Sequence, residues 1–196
     1  MGSSPVRLVL AVVVACIASA AGLSLTYAAT ADRIEEQERI ARDRSLEAAL
    51  PGSASFEEIE DEDLLEEGAD LTEDVLVAAY CAYDESGEHI GWGVQVAPRG
   101  YGGAIQMVVG LERDGKVAGV SIISMQETPG LGTRIGEESF LAQFTGWTAA
   151  TIDDDAKGLD AVSGATKSSN GVRKGLLAAG HVYELLEDEG GCANDE

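Results

Sequence analysis

The chain has 196 residues with 35 acidic and 13 basic side chains, which gives a formal net charge of −22. A surface this negative repels phosphate backbones and anionic lipid headgroups. It therefore argues against nucleic-acid binding and against docking on lipid through a basic patch. The two histidines have no metal-ligand neighbour at useful spacing, so we expect no metal site.

The first predicted element is an apolar segment that starts at Leu8, and no charged residue follows until Asp32. An uncharged stretch of more than about 20 residues can cross the hydrocarbon core of a bilayer. Arg7 and the α-amino group precede this segment, and mostly acidic residues follow it. The positive-inside rule therefore predicts an N-terminus in the cytoplasm and a main domain on the outer, periplasmic or extracellular, face.

Two other interpretations of residues 1–31 remain open. Ala-Thr-Ala at 29–31 is a cleavage pattern of the kind that ends a removable signal peptide, and the residues up to Cys16 resemble a lipoprotein cleavage site. The apolar run is longer than the roughly 7–15 residues of a signal-peptide core, so its length favours an uncleaved anchor. All three interpretations put the rest of the chain across the membrane.

Residues 32–74 are predicted to connect this anchor to a folded domain. Strong helix formers over 32–49 predict a stalk that continues the membrane helix until Pro51 and Gly52 end it. More than half of residues 56–74 are acidic, which is typical of a solvated, self-repelling spacer. An acidic surface that docks a partner is the alternative interpretation of the same segment.

Four β-compatible segments follow, separated by short turns. Asp114 and Gly115 provide the turn signal of a hairpin between the last two. The predicted strands cover 75–83, 90–98, 104–112 and 117–124. Sequential strands joined by short turns predict an antiparallel meander.

Two predicted helices follow the strands, over 136–144 and 167–189, and the second has apolar residues at helical spacing. Strands first and helices later predict an α+β fold, an antiparallel sheet meander with packed helices, preceded by one N-terminal transmembrane helix. The predicted domain covers 75–189, and residues 190–196 form an acidic tail.

The three cysteines define no disulfide framework, because their number is odd and they show no Cys-x-x-Cys spacing. Cys16 lies in the apolar segment, Cys81 in the first predicted strand and Cys192 in the acidic tail. A bridge between Cys81 and Cys192 stays open as an alternative if the domain lies outside the cell.

The loop before the last helix, Leu-Asp-Ala-Val-Ser-Gly-Ala-Thr-Lys-Ser-Ser-Asn-Gly-Val at 159–172, gathers more hydroxyl side chains than a turn requires. A helix N-terminus offers free N–H groups and the positive end of the helix dipole, so an anion such as phosphate is stabilised there, with Lys167 close by. The alternative interpretation is that Ser168 or Thr166 only caps the helix.

A second loop, Gln-Glu-Thr-Pro-Gly-Leu-Gly-Thr-Arg-Ile-Gly at 126–136, combines one proline with three glycines. Such a backbone can approach a flat ligand closely. The alternative is a plain connection between a strand and a helix. The Gly-Tyr-Gly-Gly at 100–103 matches no phosphate-binding pattern and is interpreted as a turn.

Together the two loops resemble the FMN-binding domain family, and the resemblance covers about residues 75–187. Residues 160–166 fit the Asp-x-x-Ser/Thr-Gly-Ala-Thr pattern of its covalently flavinylated members, and Glu-Thr-Pro-Gly-Leu-Gly at 127–132 looks like its second signature. The domain occurs in the G subunit of the Rnf electron-transport complex and the C subunit of the sodium-pumping NADH:quinone reductase. The single anchor and the chain length suit the Rnf protein.

The resemblance implies that Thr166 carries FMN through a phosphoester bond, attached by a dedicated flavin transferase. It also implies that the transferase reads Asp160, together with Ser163, Gly164 and Ala165. The last three stand just before Thr166 and are implied to belong to the cofactor-binding site as well. The second signature is implied to lie near the flavin ring through Glu127, Thr128, Leu131 and Gly132. Lys167 and Ser168 depart from the family's usual residues, but neither departure removes the acceptor hydroxyl.

The resemblance therefore implies an electron-relay subunit of a membrane complex that couples ferredoxin:NAD oxidoreduction to ion transport. Its partners would be the other subunits of that complex. No residue pattern suggests acid–base or nucleophilic catalysis, so we expect no catalytic residue and no stand-alone enzyme. A membrane-anchored flavoprotein for extracellular electron transfer and an FMN-binding sensor module are the alternatives.

Overall fold

The computed structural model describes residues 5–73, 75–189 and 192. The chain forms two units, Met1–Ala41 and Arg42–Glu196. Helix α1 (Pro5–Ala49) forms the described part of the first unit and ends in the second. Within the described chain, α1 is the one helix whose length and composition allow it to cross a membrane. The predicted apolar N-terminal helix is therefore present.

The second unit is built on a five-stranded antiparallel sheet in which every strand pairs with its neighbours in sequence. The strands are β1 (Ser55–Glu58), β2 (Leu76–Tyr83), β3 (His89–Val96), β4 (Ile105–Glu112) and β5 (Val117–Met125). The α+β meander predicted from the sequence is confirmed, and the four predicted strands match β2 to β5 within two residues.

Among its described residues, this unit also has four α-helices: α2 (Glu62–Leu71), α3 (Glu138–Leu141), α4 (Ile152–Asp155) and α5 (Thr166–Glu189). Helix α5 packs on one face of the sheet, where its Leu176 and Val182 share a fully buried core with Val94 and Met107. Side chains of a strand alternate between the faces of the sheet, so β3 and β4 give one set of residues to this core and leave the other set for the opposite face.

The end of α1 covers the opposite face. Leu46 and Ala49 are buried there and pack with residues of β2 and β4. A side chain on Gly93 would overlap Leu46, and one on Gly110, its partner across the β3–β4 ladder, would overlap the carbonyl oxygen of Ala49. The two glycines therefore form a shallow depression that receives the end of the helix.

The acidic segment is part of the fold, so the prediction of a solvated spacer over 56–74 was wrong. Strand β1 pairs with β2, and Asp61 caps α2 by accepting the N–H groups of Asp63 and Leu64 at 3.1 and 3.2 Å. Leu64 and Gly68 are buried on one side of α2, while its acidic residues are exposed. The compact unit begins at Arg42, well before the predicted start of the domain at Val75.

A disulfide joins Cys81 on β2 to Cys192, with a Cα–Cα distance of 5.8 Å. The alternative that the sequence left open is thus the observed one. Cys16 is free and exposed. The rest of the predicted acidic tail, 190–191 and 193–196, lies outside the described residues.

Candidate functional site

Helix α5 begins at Thr166 without a side-chain cap. The residue before it, Ala165, has no side-chain oxygen, and its carbonyl oxygen accepts the N–H of Ser169 at 2.9 Å. Within the part of the chain that the structure describes, the N–H groups of Thr166, Lys167 and Ser168 make no hydrogen bond. The first turn therefore presents unpaired donors at the positive end of a long helix.

The hydroxyl groups of Ser168 and Ser169 are engaged elsewhere, so the alternative interpretation that Ser168 or Thr166 caps the helix is wrong. The Ser168 hydroxyl donates to Glu127 Oε2 at 2.7 Å. The Ser169 hydroxyl accepts the N–H of Val162 at 3.1 Å. Thr166 is exposed and its hydroxyl is free of any described hydrogen bond. The anion-binding interpretation of this helix terminus survives, whereas the capping interpretation does not.

A turn at Gly164 brings this terminus against the second predicted loop. Gly164 has φ +80°, a conformation that side-chain-bearing residues rarely adopt, and a Cβ there would lie 2.9 Å from Leu131 Cδ1. The backbone conformation therefore favours glycine, and a Cβ would also require the Leu131 side chain to shift. Ala165 is buried behind the turn, while Ser163 is exposed.

The buried side chain of Glu127 links its own loop to the loop at 99–103 and to the start of α5. It is only 7% exposed, and its Oε1 accepts the N–H groups of Tyr101 and Gly102 at 2.8 and 3.2 Å, while Oε2 accepts Ser168. A buried carboxylate is stable only when its oxygens are satisfied. Three donors from two other segments satisfy this one, so the carboxylate fixes the relative positions of three segments of the chain.

These segments enclose an open groove with a volume of about 300 Å³. Its lining contains Tyr101, Glu127, Thr128, Leu131, Gly132, Gly164, Ala165, Lys167 and Ser168. The structure thus brings together all predicted residues of the second loop with the Gly-Ala pair of the first. Thr166 stands between two lining residues.

Two predicted residues lie outside this lining. Ser163 is exposed on the turn. Asp160 is exposed as well, and its backbone exchanges hydrogen bonds with the Gln143 side chain at 3.0 and 3.4 Å. Both side chains are accessible from solvent, which fits recognition by another protein better than contact with a ligand in the groove.

Sequence reasoning missed the contribution of the loop at 99–103. The Gly-Tyr-Gly-Gly there was interpreted as a turn, but Tyr101 lines the groove. A side chain on Gly100 would overlap Glu127 Oε1, and one on Gly102 would overlap the carbonyl oxygen of Gln126. Glycines on both sides of an aromatic residue were the available signal, since they indicate close backbone approach.

The groove carries one basic side chain among its lining residues. Lys167 places its Nζ 5.7 Å from the centroid of the Tyr101 ring, within the range of a cation–π contact. Glu127 makes no ion pair in the described chain and relies on hydrogen bonds. The groove can therefore accept an anionic group at the N-terminus of α5. It can also accept a flat, largely apolar group between Tyr101 and Leu131.

One group of side chains was considered as a metal site. Among the described residues, the one group with metal-ligand geometry is Cys81, His89 and Cys192. The sulfur atoms of both cysteines are bonded to each other, so neither offers a thiolate.

Comparison with known proteins gives a consistent family. The model of the FMN-binding domain matches residues 100–180. The G subunit of the Na(+)-translocating ferredoxin:NAD(+) oxidoreductase complex of Acetobacterium woodii is 31% identical over 86% of this chain and 86% of its own. The corresponding subunit of the proton-translocating complex of Clostridium ljungdahlii is 37% identical over 50% of this chain and 56% of its own. The crystal structure of Shewanella oneidensis NqrC aligns at a TM-score of 0.49 and 22% identity, covering 74% of this chain and 72% of that one.

Proposed function

Because the chain belongs to the family of the G subunits of ion-translocating ferredoxin:NAD oxidoreductase (Rnf-type) complexes, we propose that it is the electron-relay subunit of such a complex. Its partners are then the other subunits of a membrane assembly. The two relatives above carry different coupling ions in their names, sodium and proton. The proposal therefore assigns this subunit to electron relay and names no coupling ion.

The observation that carries the proposal is the exposed Thr166 hydroxyl beside the unpaired N–H groups at the start of α5. The residues present fit FMN: the helix terminus suits its phosphate, and the groove between Tyr101 and Leu131 suits its flat ring system. FMN supplies one- and two-electron chemistry, while the chain binds, orients and shields it.

Covalent attachment is the finer part of the proposal. An ester bond would form between Thr166 Oγ1 and the phosphorus of the flavin phosphate, while the bond from that phosphorus to its leaving oxygen breaks. The proton of the Thr166 hydroxyl would leave with the departing group, and the chain would gain the mass of one FMN less one water. The free N–H groups of the first turn would stabilise the negative charge of the ester phosphate. A flavin transferase carries out the attachment, and the exposed positions of Asp160 and Ser163 leave them accessible to that enzyme.

The test is intact mass together with flavin fluorescence after denaturation, on full-length chain co-expressed with a flavin transferase. The unaltered chain is expected to gain one FMN less one water, mapped to the peptide that contains Thr166. Thr166→Val removes the hydroxyl at nearly unchanged shape and should abolish the gain. Thr145→Val is the matched control, because Thr145 is an exposed threonine of the same unit that does not line the groove. Flavin still bound covalently in Thr166→Val contradicts the assignment.

We further infer that α1 is an uncleaved single-pass anchor with its N-terminus in the cytoplasm and the second unit on the outer face. The apolar composition of α1 and the Cys81–Cys192 disulfide support this orientation, since disulfides persist in oxidising compartments. Alkylation of intact cells before lysis, followed by mass analysis without reductant, tests it. Cys81 and Cys192 are expected unlabelled, and full labelling of both would place the domain in the cytoplasm.

A further inference from the structure

The loop at 99–103 is held rigidly at the mouth of the groove. Its ends form an antiparallel bridge between Arg99 and Ala104, and the N–H of Gly100 donates to the carbonyl of Gly103 at 2.8 Å. Glycines on either side of Tyr101 let the loop lie directly against residues 126–127. The backbone of Tyr101 is therefore placed by packing and by hydrogen bonds.

Glu127 sets the position of this tyrosine relative to the attachment residue. One carboxylate oxygen accepts the N–H of Tyr101 at 2.8 Å, and the other accepts the hydroxyl of Ser168 at 2.7 Å. Ser168 lies two residues after Thr166 on the same helical turn. A single buried side chain thus couples the Tyr101 backbone to the start of α5.

The side chain of Tyr101 contrasts with its fixed backbone. It is 68% exposed although it lines the groove, and Lys167 Nζ lies 5.7 Å from the centroid of its ring. Leu131, 43% exposed, lines the same groove from the second loop. An aromatic ring held out by a rigid loop gains burial and stacking contacts when a flat aromatic ligand occupies the groove.

We propose that Tyr101 is a flavin-contacting residue that forms a wall of the groove, with Glu127 as the positioning residue that holds it there. This inference rests on the proposed function and extends it, since it assigns a ring contact to a residue outside both signature loops. Stacked at van der Waals distance, a phenol ring quenches flavin emission by electron donation to the excited ring. The contact therefore has a direct optical readout that needs no turnover.

The experiment uses full-length chain co-expressed with a flavin transferase and kept in detergent. It compares the native chain with Tyr101→Leu, Tyr101→Phe and Tyr27→Leu. Tyr27 is the matched control, because this tyrosine of α1 is 67% exposed, almost the same as Tyr101, and lies in the other unit. Emission is measured per covalent flavin, before and after denaturation, with the flavin content taken from intact mass.

We expect a severalfold rise in native emission for Tyr101→Leu and Tyr101→Phe, since leucine and phenylalanine are poor electron donors. Tyr27→Leu should match the native chain, and denaturation should equalise all four. Loaded Tyr101 variants that emit like the native chain overturn the inference. If Tyr101→Leu fails to load, Tyr101→Phe decides alone, because it keeps the ring and the backbone contacts. If intact mass shows that the native chain carries no covalent flavin, that result contradicts the proposed function and not the assignment of Tyr101.

Discussion

The two ends of helix α5 differ in how their polar groups and neighbouring residues are bonded. Near the C-terminal end, Cys192 is bonded to Cys81, and the Tyr183 hydroxyl donates to the Arg113 carbonyl at 2.9 Å. At the N-terminal end, Thr166 is exposed and the first N–H groups lack partners within the described chain. One end is fixed by covalent and packing contacts, and the other keeps its polar groups available. The C-terminal end of α5 therefore contributes to stability, whereas its N-terminal end lacks a side-chain cap and keeps its N–H groups available for a ligand.

The largest effect on stability is expected from removing the disulfide. Replacing both Cys81 and Cys192 by serine should lower the free energy of unfolding by about 2–5 kcal/mol. Guanidinium titration of the detergent-solubilised chain measures this loss, and Cys16→Ser is the control because Cys16 is free and exposed. Flavin loading at Thr166 should persist. Unchanged stability would mean that packing alone holds this end of α5.

The next effect concerns the contact between α2 and α5. A Cβ on Gly68 would lie 2.8 Å from Leu76 Cδ2 and 3.7 Å from Val182 Cγ2. Gly68→Leu should therefore overpack this contact and cost about 1–3 kcal/mol, partly offset by better helix propensity. Gly158→Leu is the control, because a Cβ there meets nothing within 4 Å. A neutral result for Gly68→Leu in thermal unfolding would mean that α2 is free to shift away from α5.

Ser168→Ala, at the N-terminal end of α5, is expected to lower the free energy of unfolding by a smaller amount. The change leaves Glu127 Oε2 without its hydroxyl donor, while Oε1 keeps two backbone donors. We expect a loss of about 1 kcal/mol in chain produced without the transferase. Ser163→Ala should change the unfolding midpoint far less, because Ser163 is exposed. Equal losses in the two variants would remove Glu127 from its proposed positioning role.

The smallest stability effect should come from Thr166→Val, which changes the free energy of unfolding by no more than about 0.5 kcal/mol in the unloaded chain. The side chain is exposed and makes no described hydrogen bond. Denaturant titration of the unloaded variant against the unloaded native chain checks this. A large loss would show that the hydroxyl stabilises the helix start, contrary to the contrast between the two ends.

The same contrast explains what could be predicted from the sequence. The N-terminal end of α5 and the groove beside it could be predicted from short stretches of sequence. The Gly-Ala-Thr turn and the Pro-Gly loop each contain their characteristic hydroxyl groups and glycines within a few residues. Strands β2 to β5 were predicted for the same reason, since alternation and turn residues are local signals. Tyr101 was missed at the site, because its contact with Glu127 spans 26 residues and depends on strand register.

The stabilised end was harder to predict, because its signals are long-range or masked by charge. Cys81 and Cys192 are 111 residues apart, and spacing alone does not identify such a pair. In 56–74 the acidic majority hides the apolar residues that pack, Leu64 among them. A run of like charges predicts solvation on average, yet one buried face is enough to turn it into a packed helix and an edge strand.

The depression at Gly93 and Gly110 has a practical consequence for anyone who wishes to handle the redox unit without its apolar helix. A fragment that starts at Val75, where the strand pattern begins, would lose the end of α1, β1 and α2. It would expose a bare sheet face and leave β2 as an apolar edge, which invites edge-to-edge association and precipitation. A fragment that starts at Arg42 keeps Leu46 in its depression and β1 along the edge, so we expect it to expose neither the sheet face nor the β2 edge.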